Sequence, residues 1–173
     1  SPYHPPVVPF CDTRVYDSDT ILNIHDIPSS MLIAGGGVIG CEYACMFAAL
    51  GIKVYLVEGR DRLLGFMDAE VTETLARCMR NMGIDFCMPD EIQSVEAEKQ
   101  LKVQLKSGRL IEIEAILAAT GRNGNTEALA LDKVQIIPEP RGHLKVNNVY
   151  QTSKPHIYAV GDVIGFPALA STS

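Results

Sequence analysis

The chain lacks any uninterrupted apolar run approaching the length of a membrane span, and its N-terminus lacks the pattern of a signal peptide. No membrane partner is expected. Positive charge is also scarce: 15 Lys and Arg stand against 21 Asp and Glu, a formal charge of −6 with a pI near 5.2. That balance argues against nucleic acid or an acidic lipid surface as a partner. The five cysteines are an odd number without paired spacing, which suits free thiols and a reducing compartment, by default the cytoplasm. His4 and His25 have no companions at ligand spacing, so they read as solvated loop residues and no metal site is expected. Internal repeats and low-complexity tracts are missing too.

What is present fits a soluble globular protein: 173 residues, 47% hydrophobic and 21% charged, enough for one domain with appendages. The opening residues, Ser-Pro-Tyr-His-Pro-Pro-Val-Val-Pro, are rich in proline and read as an extended lead-in, as in a piece of a longer protein. Residues 1–16 are expected to be extended, with a short helix over 19–22 capped by Asp17 or Ser18.

The most informative stretch runs from Met31 to Glu58. Met31 to Ala34 is a short apolar run that predicts a buried parallel strand. Gly35, Gly37 and Gly40 follow with the spacing G-x-G-x-x-G. A helical stretch from Val38 to about Leu50 is broken at Gly51, and Lys53 to Val57 predicts a second strand. Glu58 ends that strand eighteen residues past Gly40. Each part suits a dinucleotide. Gly35 permits a sharp turn, Gly37 leaves a pyrophosphate unobstructed, and Gly40 lets the helix lie against the strand. The N–H groups of Val38 and Ile39 open the helix and, with its dipole, favour phosphate. Glu58 falls where a carboxylate accepts hydrogen bonds from the adenosine ribose. Arg60 and Arg62 are either solvated loop charges or, one of them, a partner for the 2′-phosphate of NADP.

Beyond this unit, Cys41, Ala44, Cys45 and Ala48 form a small-residue stripe for close helix packing. A second helix is expected over 68–82, N-capped by Asp68 and stopped at Gly83, with Val71, Leu75, Cys78 and Met79 buried. Ile84 to Cys87 is expected as a third strand. Residues 91–114 alternate in the manner of an antiparallel meander, turning at Ser107-Gly108, with Glu91, Glu96, Glu98, Glu112 and Glu114 on a wet face. Ala115 to Thr120 returns to a buried strand, residues 124–150 look irregular, and 156–160 reads as a last strand ending at Asp162. The expected fold is α/β: a Rossmann-like parallel sheet flanked by helices, with an inserted antiparallel β-meander.

Three motifs then stand in order: the glycine turn with Glu58, Ala119-Thr120-Gly121-Arg122, and Thr152 with Ile157-Tyr-Ala-Val-Gly-Asp162. Together they resemble the two-dinucleotide flavoprotein reductases, the family of glutathione reductase and lipoamide dehydrogenase. The likeness to the family's transhydrogenase branch extends along nearly the whole chain, notably at Arg14–Leu22, Asp61–Asp68 and Tyr150–Ser171. The resemblance implies that residues 1–122 are an NAD(P)-binding domain and residues 123–173 the chain's return into an FAD-binding domain. It implies NAD(P) and, in the full-length protein, FAD as cofactors, with hydride passing between NADPH and NAD⁺ by way of the flavin. It also implies a homo-oligomer. Gly35, Gly37, Val38, Ile39 and Gly40 would hold the pyrophosphate, Glu58 the ribose, and Gly121 would border the nicotinamide end. Asp162 matches a carboxylate that contacts FAD. Glu42 matches a glutamate near the nicotinamide and flavin, or is simply an acid favoured near a helix N-terminus. Two other readings stand: the NAD domain of a disulfide-type reductase, and a nucleotide-binding module without chemistry. Residues 146–173, deprived of sheet neighbours, are expected to pack on another copy or back along this chain.

Overall fold

In the computed structural model, which describes residues 1–165, the chain forms two compact units, Pro2–Gly121 and Ser1 with the segment from Arg122 onward. The first unit is built on a five-stranded sheet of β1 (Val15–Asp17), β2 (Ser30–Ala34), β3 (Lys53–Val57), β4 (Asp85–Cys87) and β8 (Ala115–Ala118). The strand order is β1-β8-β2-β3-β4 and all pairings are parallel. Helix α1 (Val38–Ala49) crosses from β2 to β3, and α2 (Ala69–Asn81) from β3 to β4. A separate antiparallel sheet, β5 (Ile92–Ala97), β6 (Leu101–Leu105) and β7 (Leu110–Ile113), is the meander, with Gly108 at φ 90° in its second turn.

The alternation of side chains along the strands sorts the core into two layers. Met31 and Ile33 of β2, with Val54 and Leu56 of β3, pack against Cys41, Ala44 and Phe47 of α1 and Ala76 and Met79 of α2. Leu32, Ala34 and Val57 face the other way and meet Leu101, Val103, Leu105, Ile111 and Ile113 of the meander. Both helices therefore cover one face of the parallel sheet, and the meander covers the other. Burial on both faces is why β2 and β8 read as continuous apolar runs.

Three expectations are corrected. The lead-in is not extended throughout: turns fold it, with the Val8 N–H donating to Pro5 O and the Asp12 N–H to Pro9 O, before Val15–Asp17 pairs with β8 as an edge strand. Asp17 is what anchors it, buried at 5% exposure. Its Oδ1 accepts from the N–H groups of Asp19 and Thr20 and from the Thr20 hydroxyl, and its Oδ2 lies 2.7 Å from His4 Nε2. His4 is a half-exposed loop residue, as expected, and is also a structural partner, stacked on Phe10. In α2, Asp68 caps the helix by accepting from Glu70 N–H at 2.9 Å, as its sequence position suggests. The buried face, however, is Thr72, Ala76 and Met79, while Val71 and Cys78 are exposed. Thr72 tolerates burial because its hydroxyl donates to the Ala69 carbonyl.

The third correction concerns residues 156–160, which form no strand. Gln151 and Tyr158 make one isolated bridge, Tyr158 and Val160 are exposed, and only Ala159 is buried. Local turns satisfy the backbone instead: Thr152 N–H donates to Ile157 O, and Ile157 N–H to Lys154 O. In this second unit Ile136, Leu144 and Ala159 form a small core with Val146, Ile157, Val163 and Ile164 against it. The described part of the tail therefore packs back along its own chain; the remainder of that expectation, over 166–173, lies outside the described residues.

Candidate functional site

The order β1-β8-β2-β3-β4 reverses direction between β2 and β8, and a parallel sheet opens a crevice at the C-terminal ends of its strands at such a point. The glycine turn lies there. Gly35 leaves β2 at φ 113°, and a Cβ on it would stand 2.4 Å from the Ala119 carbonyl oxygen at the end of β8. A Cβ on Gly40 would stand 1.9 Å from the Gly35 carbonyl oxygen, so helix and turn are in backbone contact. Gly37 differs: a Cβ there would meet no atom within 4 Å, and its φ of −81° strains no residue. Two of the three motif glycines serve packing, and the third faces open space. Gly37 also caps α1, whose geometry leaves the N–H groups of Val38, Ile39 and Gly40 without intrahelical acceptors. Those donors and the helix dipole can receive an anion of diphosphate size.

Glu58 sits beside this turn, 7% exposed and bonded to it. Its Oε2 accepts from the Gly36 N–H at 2.6 Å, and Arg60 brings Nη2 to the same oxygen at 3.3 Å. Its Oε1 accepts from the Arg60 N–H at 3.0 Å and from Arg60 Nε at 2.9 Å. Burial pushes the Glu58 carboxyl up, but the Arg60 side chain, the Arg60 N–H and the Gly36 N–H outweigh it and hold the acid below its usual range. Arg60 is raised in turn, first by its hydrogen bond to Glu58. Arg62 turns elsewhere and donates to the Gly65 carbonyl.

The sequence reading passed over three contributors. Gly36 is closely covered: a Cβ on it would stand 2.8 Å from Leu63 Cδ2 and 3.0 Å from Glu58 Oε2, so both side chains would have to shift to admit one. Leu63 and Leu64 are buried at 1% and 8% exposure, and the Leu64 N–H donates to the Gly36 carbonyl at 2.9 Å. The loop after Glu58 is thereby fastened across the middle peptide of the glycine turn. The signal was an adjacent apolar pair inside a charged loop.

The other expected residues are placed as follows. Glu42 is exposed on α1, one turn beyond Val38. Gly121 follows β8 at φ 110° and is exposed, with its carbonyl accepting from the Tyr3 N–H at 2.9 Å. Asp162 is exposed in a 3-10 turn, Gly161–Ile164, of the second unit. Cys41, beside the turn, is buried, and burial, then Cys45, Glu58 and Glu42, push its thiol up to about 12, so it is no nucleophile. Among the described residues no His, Cys, Asp and Glu cluster has the makings of a metal site.

A family model described as pyridine nucleotide-disulphide oxidoreductase matches residues 5–173. Among characterised proteins, the soluble pyridine nucleotide transhydrogenase of Enterobacter sp. (strain 638) is 48% identical over 173 residues, covering 99% of this chain and 37% of that protein. The one from Shigella flexneri is 46% identical over the same span. Among solved structures, the Cu(II) complex of a mutant of the HOCl-induced flavoprotein disulfide reductase RclA from Escherichia coli superposes with a TM-score of 0.87 at 30% identity. It covers 99% of this chain and 39% of that one. The chain thus spans 37% of the length of the relatives it matches.

Proposed function

Because the chain belongs to the pyridine nucleotide-disulphide oxidoreductase family, we propose that its first unit holds the adenosine-diphosphate half of a nicotinamide dinucleotide in a flavoprotein that moves hydride between NADPH and NAD⁺ through FAD. Residues 1–122 are then the NAD(P)-binding domain, and 123–173 the return into the FAD-binding domain. Gly37 and the N–H groups of Val38, Ile39 and Gly40 receive the diphosphate, with Gly35 and Gly40 shaping the turn. Glu58 takes the ribose, Gly121 borders the nicotinamide end, Glu42 lies toward the reacting rings, and Asp162 belongs to the FAD side. The bound nicotinamide and flavin supply the hydride chemistry; the residues of this chain bind, orient and exclude water.

One observation carries the reading. The turn is closed to side chains at Gly35 and Gly40 and open at Gly37, with a held carboxylate beside it, as a diphosphate followed by a ribose requires. The 48% identity to transhydrogenases, against 30% to a disulfide reductase, supports hydride exchange between nucleotides over reduction of a disulfide. Five free thiols support a reducing compartment, the cytoplasm. The full-length protein is proposed to be a homo-oligomer, and this chain alone to bind dinucleotide weakly and turn nothing over.

The test is anaerobic. NADPH is expected to bleach the yellow full-length protein and NAD⁺ to restore its colour, and thiol alkylation of the reduced form to leave this exchange intact. A protein that stays colourless with added FAD refutes the reading. Loss of exchange on alkylation favours the disulfide reductase.

A further inference from the structure

An ionised carboxylate offers about four acceptor positions, and in Glu58 four donors reach them. Two are main-chain N–H groups, from Gly36 and Arg60, which cannot leave without unfolding the turn. The other two are Nε and Nη2 of the Arg60 side chain, one on each oxygen, at 2.9 and 3.3 Å. The Glu58 side chain is 8% exposed and that of Arg60 is 59% exposed, so the guanidinium is a removable cover over a carboxylate that is not itself removable.

We infer that Arg60 is the selector between the two nucleotides: the ribose diol of NAD displaces it from Glu58, whereas the 2′-phosphate of NADP requires it to stay. This inference rests on the dinucleotide reading above. A 2′,3′-diol brings two hydroxyl donors, the number that the Arg60 side chain vacates. The exchange leaves Glu58 saturated and swings the guanidinium into solvent. A 2′-phosphate removes one of those hydroxyls and adds a charge of about −2. Against a bare Glu58 it would be repelled. With Arg60 in place the carboxylate is neutralised, and the guanidinium has N–H groups left over, at Nη1 and on the second hydrogen of Nη2, for the phosphate. One side chain thus competes with the first ligand and serves the second, which lets a single site take both.

Calorimetric titration of this chain with NAD⁺ and NADP⁺ tests it on wild type, Arg60→Ala and Arg60→Lys, each first checked for unchanged thermal unfolding. Arg60→Ala is expected to tighten NAD⁺ by about threefold to tenfold, since one competing charge-assisted pair is gone, and to weaken NADP⁺ by at least about tenfold. Arg60→Lys keeps the charge without the paired donors, so NAD⁺ is expected to tighten while NADP⁺ stays within about threefold. NAD⁺ binding that is unchanged or weaker in both variants overturns the displacement. Equal weakening of both nucleotides in Arg60→Ala overturns it as well, in favour of general attraction to phosphate. Wild type that binds neither nucleotide overturns the site reading and this inference together.

Discussion

Gly37 and Gly40 are three residues apart in one turn, yet substituting alanine for each should have opposite consequences. At Gly40 the new Cβ would begin 1.9 Å from a backbone oxygen, that of Gly35, which no side-chain adjustment relieves. Reaching ordinary contact requires α1 to retreat from the turn by roughly 1.5 Å, and overpacking against backbone on this scale costs about 3 kcal/mol, the upper end of the usual range. The higher helix propensity of alanine returns about 1 kcal/mol. A net loss near 2 kcal/mol lowers the unfolding midpoint of a chain this size by about 4–8 °C. At Gly37 the Cβ meets nothing within 4 Å and φ is −81°, so the only structural cost is a poorer N-cap, below about 1 kcal/mol and at most about 4 °C. Function should invert the ranking of that variant. A methyl on the open face of the turn stands where the diphosphate approaches, and one lost charged hydrogen bond weakens binding by about tenfold to a hundredfold. Thermal unfolding by circular dichroism and titration with NADH, on both variants and wild type, give the four numbers needed. If Gly37→Ala bound NADH as wild type does, the diphosphate would not cross that face, and the assignment of the turn would fail.

Two further predictions concern the rest of the first unit. For Asp17, burial raises the pKa, but the bonds from Thr20, His4 and Asp19 outweigh it and bring it to about 2 from an ordinary 3.8. Because folding lowers this pKa, its contribution, about 2 kcal/mol, is complete above the ordinary carboxylate range and is lost as pH falls through about 2. Asp17→Asn should therefore unfold at lower denaturant than wild type at neutral pH, with the gap closing in acid; a gap independent of pH refutes the linkage. For the thiols, a disulfide reagent in mildly alkaline buffer should modify Cys11 and Cys78 rapidly, Cys45 more slowly, and Cys41 and Cys87 only on unfolding. Rapid modification of Cys41 would refute its burial and raised pKa.

The parallel core was legible because β2, β3 and β8 are covered on both faces, which forces short continuous apolar runs bounded by glycine or charge. The meander was legible because one of its faces is wet, so Leu101, Val103 and Leu105 alternate with polar residues. Strand β1 was hidden by a different kind of stabilisation: its anchor is a buried carboxylate with four donors, and a polar network leaves no hydrophobic period. The converse error occurred at 156–160, where an apolar string suggested a strand. Local turns had already used the backbone groups that a sheet would need. In α2 the reading followed hydrophobicity to Val71 and Cys78, one residue away from the true face. Thr72, satisfied by its own helix, took a core position that composition reserves for apolar residues.

The site shows the same division. The glycine spacing announced the turn and also which of its glycines fit the chain to itself and which faces open space. What it did not announce is Gly36, which lies directly against Glu58. Its missing Cβ leaves room for the carboxylate, and its N–H supplies one of the two permanent donors that keep Glu58 charged in a buried position. That permanence matters for function. A buried charge stripped of a partner is costly, by several kcal/mol where nothing replaces the loss. A carboxylate that keeps two main-chain donors can exchange the other two for a ligand's hydroxyls without ever standing bare. Fixing half of the coordination in the backbone is therefore what makes the remaining half exchangeable, and it places the choice of nucleotide on a single exposed side chain.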